Sequence, residues 1–143
     1  MTDRLPAGGP RIERAEVVQP PGWPRPSGYA NGIVRRGRVL AIAGQIGWDP
    51  VTRELVSDDF AAQARQALAN VRAVLEAAGA DPSHVVRLTW YVTSRAEYLA
   101  ALKPVGAAYR ELFADHYPAM SAVIVAGLVE EGAKVEIEAT AVV

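Results

Sequence analysis

Residues 134–143 read KVEIEATAVV, and this stretch decides the fold. Val135, Ile137, Ala139, Ala141 and Val143 alternate with Lys134, Glu136, Glu138, Thr140 and Val142, the period-two pattern of a strand with one buried face. One face belongs to a core. The other carries Glu136 and Glu138 in succession, so either water solvates two neighbouring acids or a pocket uses them.

Working outward from that strand, YPAMSAVIVAGL (117–128) supplies a strand predicted to pair with it as a hairpin around residues 129–133. GIVRRGRVLAIAGQIGW (32–48) predicts two strands, about 30–35 and 38–43, turning at Arg36-Gly37, where glycine can take a positive φ. From Asp58 to Ala78, Phe60, Ala64, Ala67, Leu68, Val71, Val74, Leu75 and Ala78 recur at helical spacing, with Ser57 placed to cap the start and Gly79 the end. SHVVRLTWYVT (83–93) is β-branched and aromatic, and Ser94 to Glu97 has capping-box form ahead of a second helical region reaching about Asp115. Pro104 predicts a break or new start near Lys103.

The order β-β-α-β-α-β-β implies an α+β sandwich, a mixed sheet with two helices on one face. LAIA (40–43) and AVIVAGL (122–128) are apolar on both sides of the pleat, so the face without helices is expected to be covered by self-association. Residues 1–28 hold most of the ten prolines and read as an arm with a short strand at RAEVV (14–18), ahead of a single domain over 29–143. Trp23 in this arm is expected to pack on a neighbouring subunit.

With 143 residues the chain buries roughly 70% of its unfolded surface as one domain. Its 15 basic and 16 acidic side chains leave a net charge of −1, which argues against nucleic acid or an anionic membrane as a partner. No apolar run reaches membrane-spanning length and no secretory leader is evident, so a cytoplasmic location is expected. The absence of cysteine excludes disulfides and a thiolate nucleophile, and His84 and His116 are too few and too separated for a zinc cluster. GQIGWDP (44–50) is no phosphate loop, and Ser83 and Ser121 lack a nucleophile elbow. His84 reads as a loop or strand-edge residue and His116 as a partner of its helix dipole.

Six blocks in order, SGYANGI (27–33), GQIGWDPVTRELV (44–56), AAQARQALANVRAVLEAAGA (61–80), VVRLTWYVT (85–93), YPAMSAVIVAGL and KVEIEATAVV, resemble the Rid family, the YjgF-like reactive-intermediate (enamine/imine) deaminases, from Tyr29 to Val143. The resemblance implies a chorismate-mutase-like fold and a homotrimer with clefts between subunits. In its deaminase branch the cleft hydrolyses a small 2-imino acid to the 2-oxo acid and ammonia without a metal or organic cofactor. By that resemblance Tyr29 and Glu136 are catalytic candidates, Glu136 handling protons for the attacking water and Tyr29 orienting the substrate, while Ala43, Gly44, Met120 and Ala122 line the substrate.

Three positions depart from the family pattern. Met120 stands where an arginine grips the substrate carboxylate, Ala43 where serine or threonine usually precedes GQ, and Ala122 where cysteine is frequent. Losing one partner of such a charge-assisted fork typically costs ~2–5 kcal/mol, so 2-imino acid deamination is expected to be weak. Arg35, Arg38, Arg87 and Lys134 are the strand cations that could replace it, read mainly as cross-strand partners of Glu136 and Glu138. The expected activity is water addition to a small imine, enamine or related compound, with backbone N–H groups at Gly44 or Ala122 stabilising oxygen charge. The alternative is a non-catalytic small-molecule-binding protein on the same scaffold. A ribonuclease role is disfavoured, because VRRGR (34–38) is the single basic cluster.

Overall fold

The structure, a computed structural model, describes residues 14–143. Its strands are β1 (Glu16–Val18), β2 (Gly32–Val34), β3 (Val39–Ile46), β4 (Val85–Val92), β5 (Ala119–Ile124) and β6 (Val135–Val142); its helices are α1 (Phe60–Ala77), α2 (Arg95–Ala100) and α3 (Leu102–Phe113). A four-stranded mixed sheet runs in the order β3-β6-β4-β5, and β1 and β2 form a separate antiparallel pair.

The alternating strand takes the centre. Val135, Ile137, Ala139 and Ala141 are buried under α1, whose own buried stripe is Phe60, Ala64, Ala67, Leu68, Val71 and Leu75. Each valine, leucine, isoleucine or phenylalanine among them contributes about 1.5–3 kcal/mol when fully buried. On the next strand Leu88, Trp90 and Val92 face the same core, and α3 adds Val105, Tyr109 and Phe113 beside α1. All helices therefore occupy one layer, and Glu136, Glu138, Thr140, Thr89 and Tyr91 stand on the uncovered face.

Both expected hairpins are corrected. β2 pairs with β1, and β3 pairs antiparallel with β6, because the C-terminus returns to the turn: Arg38 N–H donates to the Val143 carbonyl (2.7 Å) and Val143 N–H to that of Arg38 (2.8 Å). Gly37 does adopt a positive φ of 151°, and a Cβ there would lie 2.6 Å from the Val143 carbonyl oxygen. At the other end, β5 runs parallel to β4, with α2 and α3 forming the crossover that a parallel pair requires. β6 then enters between β3 and β4, a position no tight turn from β5 could reach.

The new helical start expected near Lys103 is found at Leu102, while one helix cap differs from expectation. The second helical region is two helices meeting at Ala101, since Pro104 is admitted near the start of α3. Asp59, not Ser57, caps α1, accepting from Ala62 N–H at 2.9 Å, while Ser57 Oγ accepts from Asp59 N–H at 2.9 Å. Gly79 follows α1 at φ 72°, and Ser94 caps α2 by accepting from Glu97 N–H. His84 lies in a short 3-10 turn, bonded to Asp81. His116 N–H donates to the Phe113 carbonyl at the end of α3 (3.3 Å), but its side chain turns away from the helix: Nε2 donates to the Val85 carbonyl at 2.7 Å, tying α3's exit to the start of β4. Among the described residues no helix is long and apolar enough to cross a membrane.

Candidate active site

Glu136 lies on β6 opposite Ile46 of β3 and Tyr91 of β4. The β3–β6 register slips between Ile42 and Gln45, so Ala43 and Gly44 form a bulge, held by Gln45 Nε2 donating to the Ala43 carbonyl at 3.0 Å. The bulge brings Gly44 over the carboxyl: a Cβ at Gly44 would lie 2.7 Å from Glu136 Oε1 and 2.8 Å from its Cδ. Glycine is thus the residue that leaves room for this acid.

The two carboxylates differ in their partners. Glu138, two residues along the same face, accepts from Tyr91 Oη at 2.6 Å. That hydrogen bond, then burial, then the charges of Glu138 and Glu136, push the Tyr91 hydroxyl above its ordinary pKa, so it stays a donor. Among the described residues no side chain or loop N–H donates to the Glu136 carboxyl. Gly44, Tyr91, Glu136 and Glu138, with the loop from Val125 to Val129, enclose a concavity of about 360 Å³. Its lining holds two acids, aliphatic surface and no cation.

The strand cations expected to pair with these acids do not. Lys134 Nζ bonds Glu97 Oε1 at 2.7 Å, and Arg35 donates to the Ser83 carbonyl at 3.1 Å. Glu138 lines the concavity beside Glu136. Tyr91 was missed altogether, although the alternation of β4 puts it on the open face; which strand β4 would meet there could not be read locally.

Buried amides position the acids from behind. Gln63 on α1, fully buried, donates through Nε2 to the carbonyls of Ser57 (2.9 Å) and Gly132 (3.0 Å), and its Oε1 accepts from Lys134 N–H at 2.8 Å, two residues before Glu136. Asn70 Nδ2 holds the carbonyls of Ile46 (3.2 Å) and Trp48 (3.0 Å), where β3 ends.

The remaining candidates lie elsewhere on the chain. Met120 and Ala122 are in register with Leu88 and Trp90, so they share the helix-side face of β5, opposite that of Glu136; Met120 packs against the core and Ala122 is exposed. Tyr29, 43% exposed, precedes Ala30, whose N–H donates to the Pro118 carbonyl at 2.9 Å beside β5. Ala43 is exposed in the bulge. One chain therefore joins Gly44 to Glu136 but leaves Met120 and Ala122 on the other face of the sheet, with Tyr29 beside the start of β5. Among the described residues no three acidic or imidazole side chains converge to hold a metal ion.

Residues 24–143 match the family described as Endoribonuclease L-PSP. The chain belongs to this family. Within it, the chain is 38% identical over 105 residues to the human 2-iminobutanoate/2-iminopropanoate deaminase, covering 73% of each chain, and 40% identical over 117 residues to the Salmonella typhimurium protein of the same name, covering 80% of this chain and 86% of that one. Among solved structures, the Rid-family protein YyfB of Yersinia pestis superposes with a TM-score of 0.79 at 36% identity, covering 92% of this chain and all of that one. The α+β fold with its mixed sheet and three helices is the fold of this family.

Proposed function

We propose that this protein hydrolyses a small, uncharged or cationic imine or enamine at the Glu136 concavity, completed in a homotrimer by a neighbouring chain. The deaminase names of its relatives support the reaction class. The observation that carries the reading is the Glu136 carboxyl, free of side-chain donors among the described residues and set under the Cβ-less Gly44 in a lining with no cation.

In this reading a water molecule beside Glu136 gives a proton to the carboxylate as its oxygen bonds the imine carbon. The protonated carboxyl passes the proton to the imine nitrogen, giving a carbinolamine. Glu136 then takes the hydroxyl proton and returns it to the amino nitrogen, the C–N bond breaks, and ammonia leaves as the C=O forms, with the carboxylate regenerated; an enamine enters through its imine tautomer. Tyr91, fixed on Glu138, keeps the neighbouring acid hydrogen-bonded, so the two carboxylates take unequal roles.

The inter-subunit completion rests on the split described above. Tyr29, Met120 and Ala122 reach a common crevice with Glu136 only if they come from a second chain, and the uncovered sheet face offers the surface for it. A carboxylate-bearing substrate would meet Glu136 and Glu138 without a compensating cation at Met120.

The test is ammonia release from 2-iminopropionate generated in situ, beside its uncharged analogue 2-iminopropanamide. Wild type should hydrolyse the amide and leave the carboxylate near background, with Met120→Arg raising the carboxylate rate at least tenfold. Efficient wild-type turnover of 2-iminopropionate would overturn the assigned substrate charge.

A further inference from the structure

The lining of the Glu136 concavity changes character along β6. Before Glu136, the chain leaves β5 at Val125, whose N–H donates to the Val92 carbonyl at 2.9 Å, and Val92 is in register with Val135. Val125, Leu128 and Val129 give this end of the concavity an aliphatic wall. Beyond Glu136 stands Glu138, so the candidate proton-handling acid lies between an aliphatic end and an acidic end. Residues two apart on a strand are separated by roughly 7 Å, which sets the spacing of the two acids along the concavity.

Glu138 is fixed but only partly satisfied. Tyr91 Oη, reaching from β4, donates to its Oε1 at 2.6 Å, and among the described residues no donor meets Oε2. An ionised carboxylate accepts at both oxygens, so one hydroxyl leaves acceptor capacity in hand. The lysine two residues before Glu136 is committed elsewhere, Lys134 Nζ to Glu97 Oε1 at 2.7 Å, and the lining of the concavity holds no cation. Two neighbouring carboxylates with nothing to balance them repel; a cation on the substrate relieves that repulsion, and a carboxylate adds to it. Because Tyr91 already holds Glu138 in one place, less freedom is lost when a ligand engages it.

We propose that Glu138 is the specificity-determining residue of this concavity and selects an aliphatic imine or enamine bearing a separate ammonium group within roughly 7 Å of the imine carbon. The inference rests on the reading of Glu136 as the hydrolytic acid: Glu136 works on the C=N bond, Glu138 Oε2 takes the ammonium, and Val125, Leu128 and Val129 take the aliphatic remainder. Tyr91 is a positioning residue that acts through Glu138.

Calorimetric titration of the full-length protein with n-butylammonium, its uncharged counterpart 1-butanol and its anionic counterpart butyrate reads this selection without turnover. n-Butylammonium should bind at least tenfold more tightly than 1-butanol, and butyrate more weakly than either. Glu138→Gln, which keeps the side chain's size and still accepts from Tyr91, should bring n-butylammonium to the level of 1-butanol. Tyr91→Phe should weaken n-butylammonium several-fold and leave 1-butanol unchanged, a split that a general loss of structure would not give. Glu136→Gln should keep the preference for the cation. Equal affinity of n-butylammonium and 1-butanol in wild type, or a preference kept in Glu138→Gln and lost in Glu136→Gln, would overturn the assignment even with hydrolysis of 2-iminopropanamide intact. A Glu138-dependent preference in a protein that does not hydrolyse 2-iminopropanamide would uphold the cation selection and remove the hydrolytic reading instead.

Discussion

At the scale of single residues, two glycines three positions apart, Gly44 and Gly47, separate function from stability. At Gly44 an added Cβ meets only the far end of Glu136, at 2.7–2.9 Å, and that side chain can swing aside. Gly44→Ala is therefore expected to leave the melting temperature nearly unchanged while lowering turnover at least tenfold, because the displaced carboxyl no longer faces the concavity. At Gly47 the added Cβ meets the Gln63 Cα at 2.4 Å and its carbonyl oxygen at 2.7 Å, and helix backbone cannot swing. Gly47→Ala should cost ~2–3 kcal/mol or more, measured by denaturant unfolding. A Gly44→Ala protein with full activity would remove the steric argument for that glycine. The Glu136–Glu138 pair was legible in the period-two alternation of residues 134–143. Tyr91 as the partner of Glu138 was not, since Tyr91 and Glu138 are 47 residues apart and meet only through the β4–β6 register.

At the scale of elements, α1 does more than cover the sheet. Its buried Gln63 satisfies two carbonyls and one N–H in segments that have no other regular structure to hold them. Gln63→Leu keeps much of the volume but strands all three backbone groups, so a loss of about 2–4 kcal/mol is expected in chemical denaturation. Turnover should fall too, because Lys134 N–H fixes the start of β6 two residues before Glu136; a protein of unchanged stability would show that water replaces the amide. The helices and most strands were readable because amphipathic spacing is a local property, as in Phe60 to Leu75. Strand pairing was not: sequence neighbours suggested hairpins for β2–β3 and β5–β6, whereas the central place of β6 depends on the α2–α3 crossover and on the return of Val143 to Arg38. The misassigned cap has a similar origin, since Ser57, Asp58 and Asp59 are all competent caps and only the backbone path chooses Asp59.

At the scale of the whole molecule, the sheet has helices on one face and two carboxylates with Tyr91 on the other. The candidate residues are divided between those faces, Glu136 with Gly44 on one and Met120 with Ala122 on the other. Sedimentation equilibrium is expected to give three times the 15.3 kDa chain mass, and a monomer would break the link between the two groups. This division was not legible in the sequence, where the apolar residues on both sides of LAIA and AVIVAGL pointed only to self-association.

The most direct measurement is the rate of ammonia release from 2-iminopropanamide by wild type and by Glu136→Gln. Glutamine keeps the shape of the side chain but cannot accept and return a proton, so the rate should fall by about 10²–10⁴ with the oligomer and its melting temperature intact. Equal rates for the two proteins would contradict the account and remove Glu136 from the chemistry.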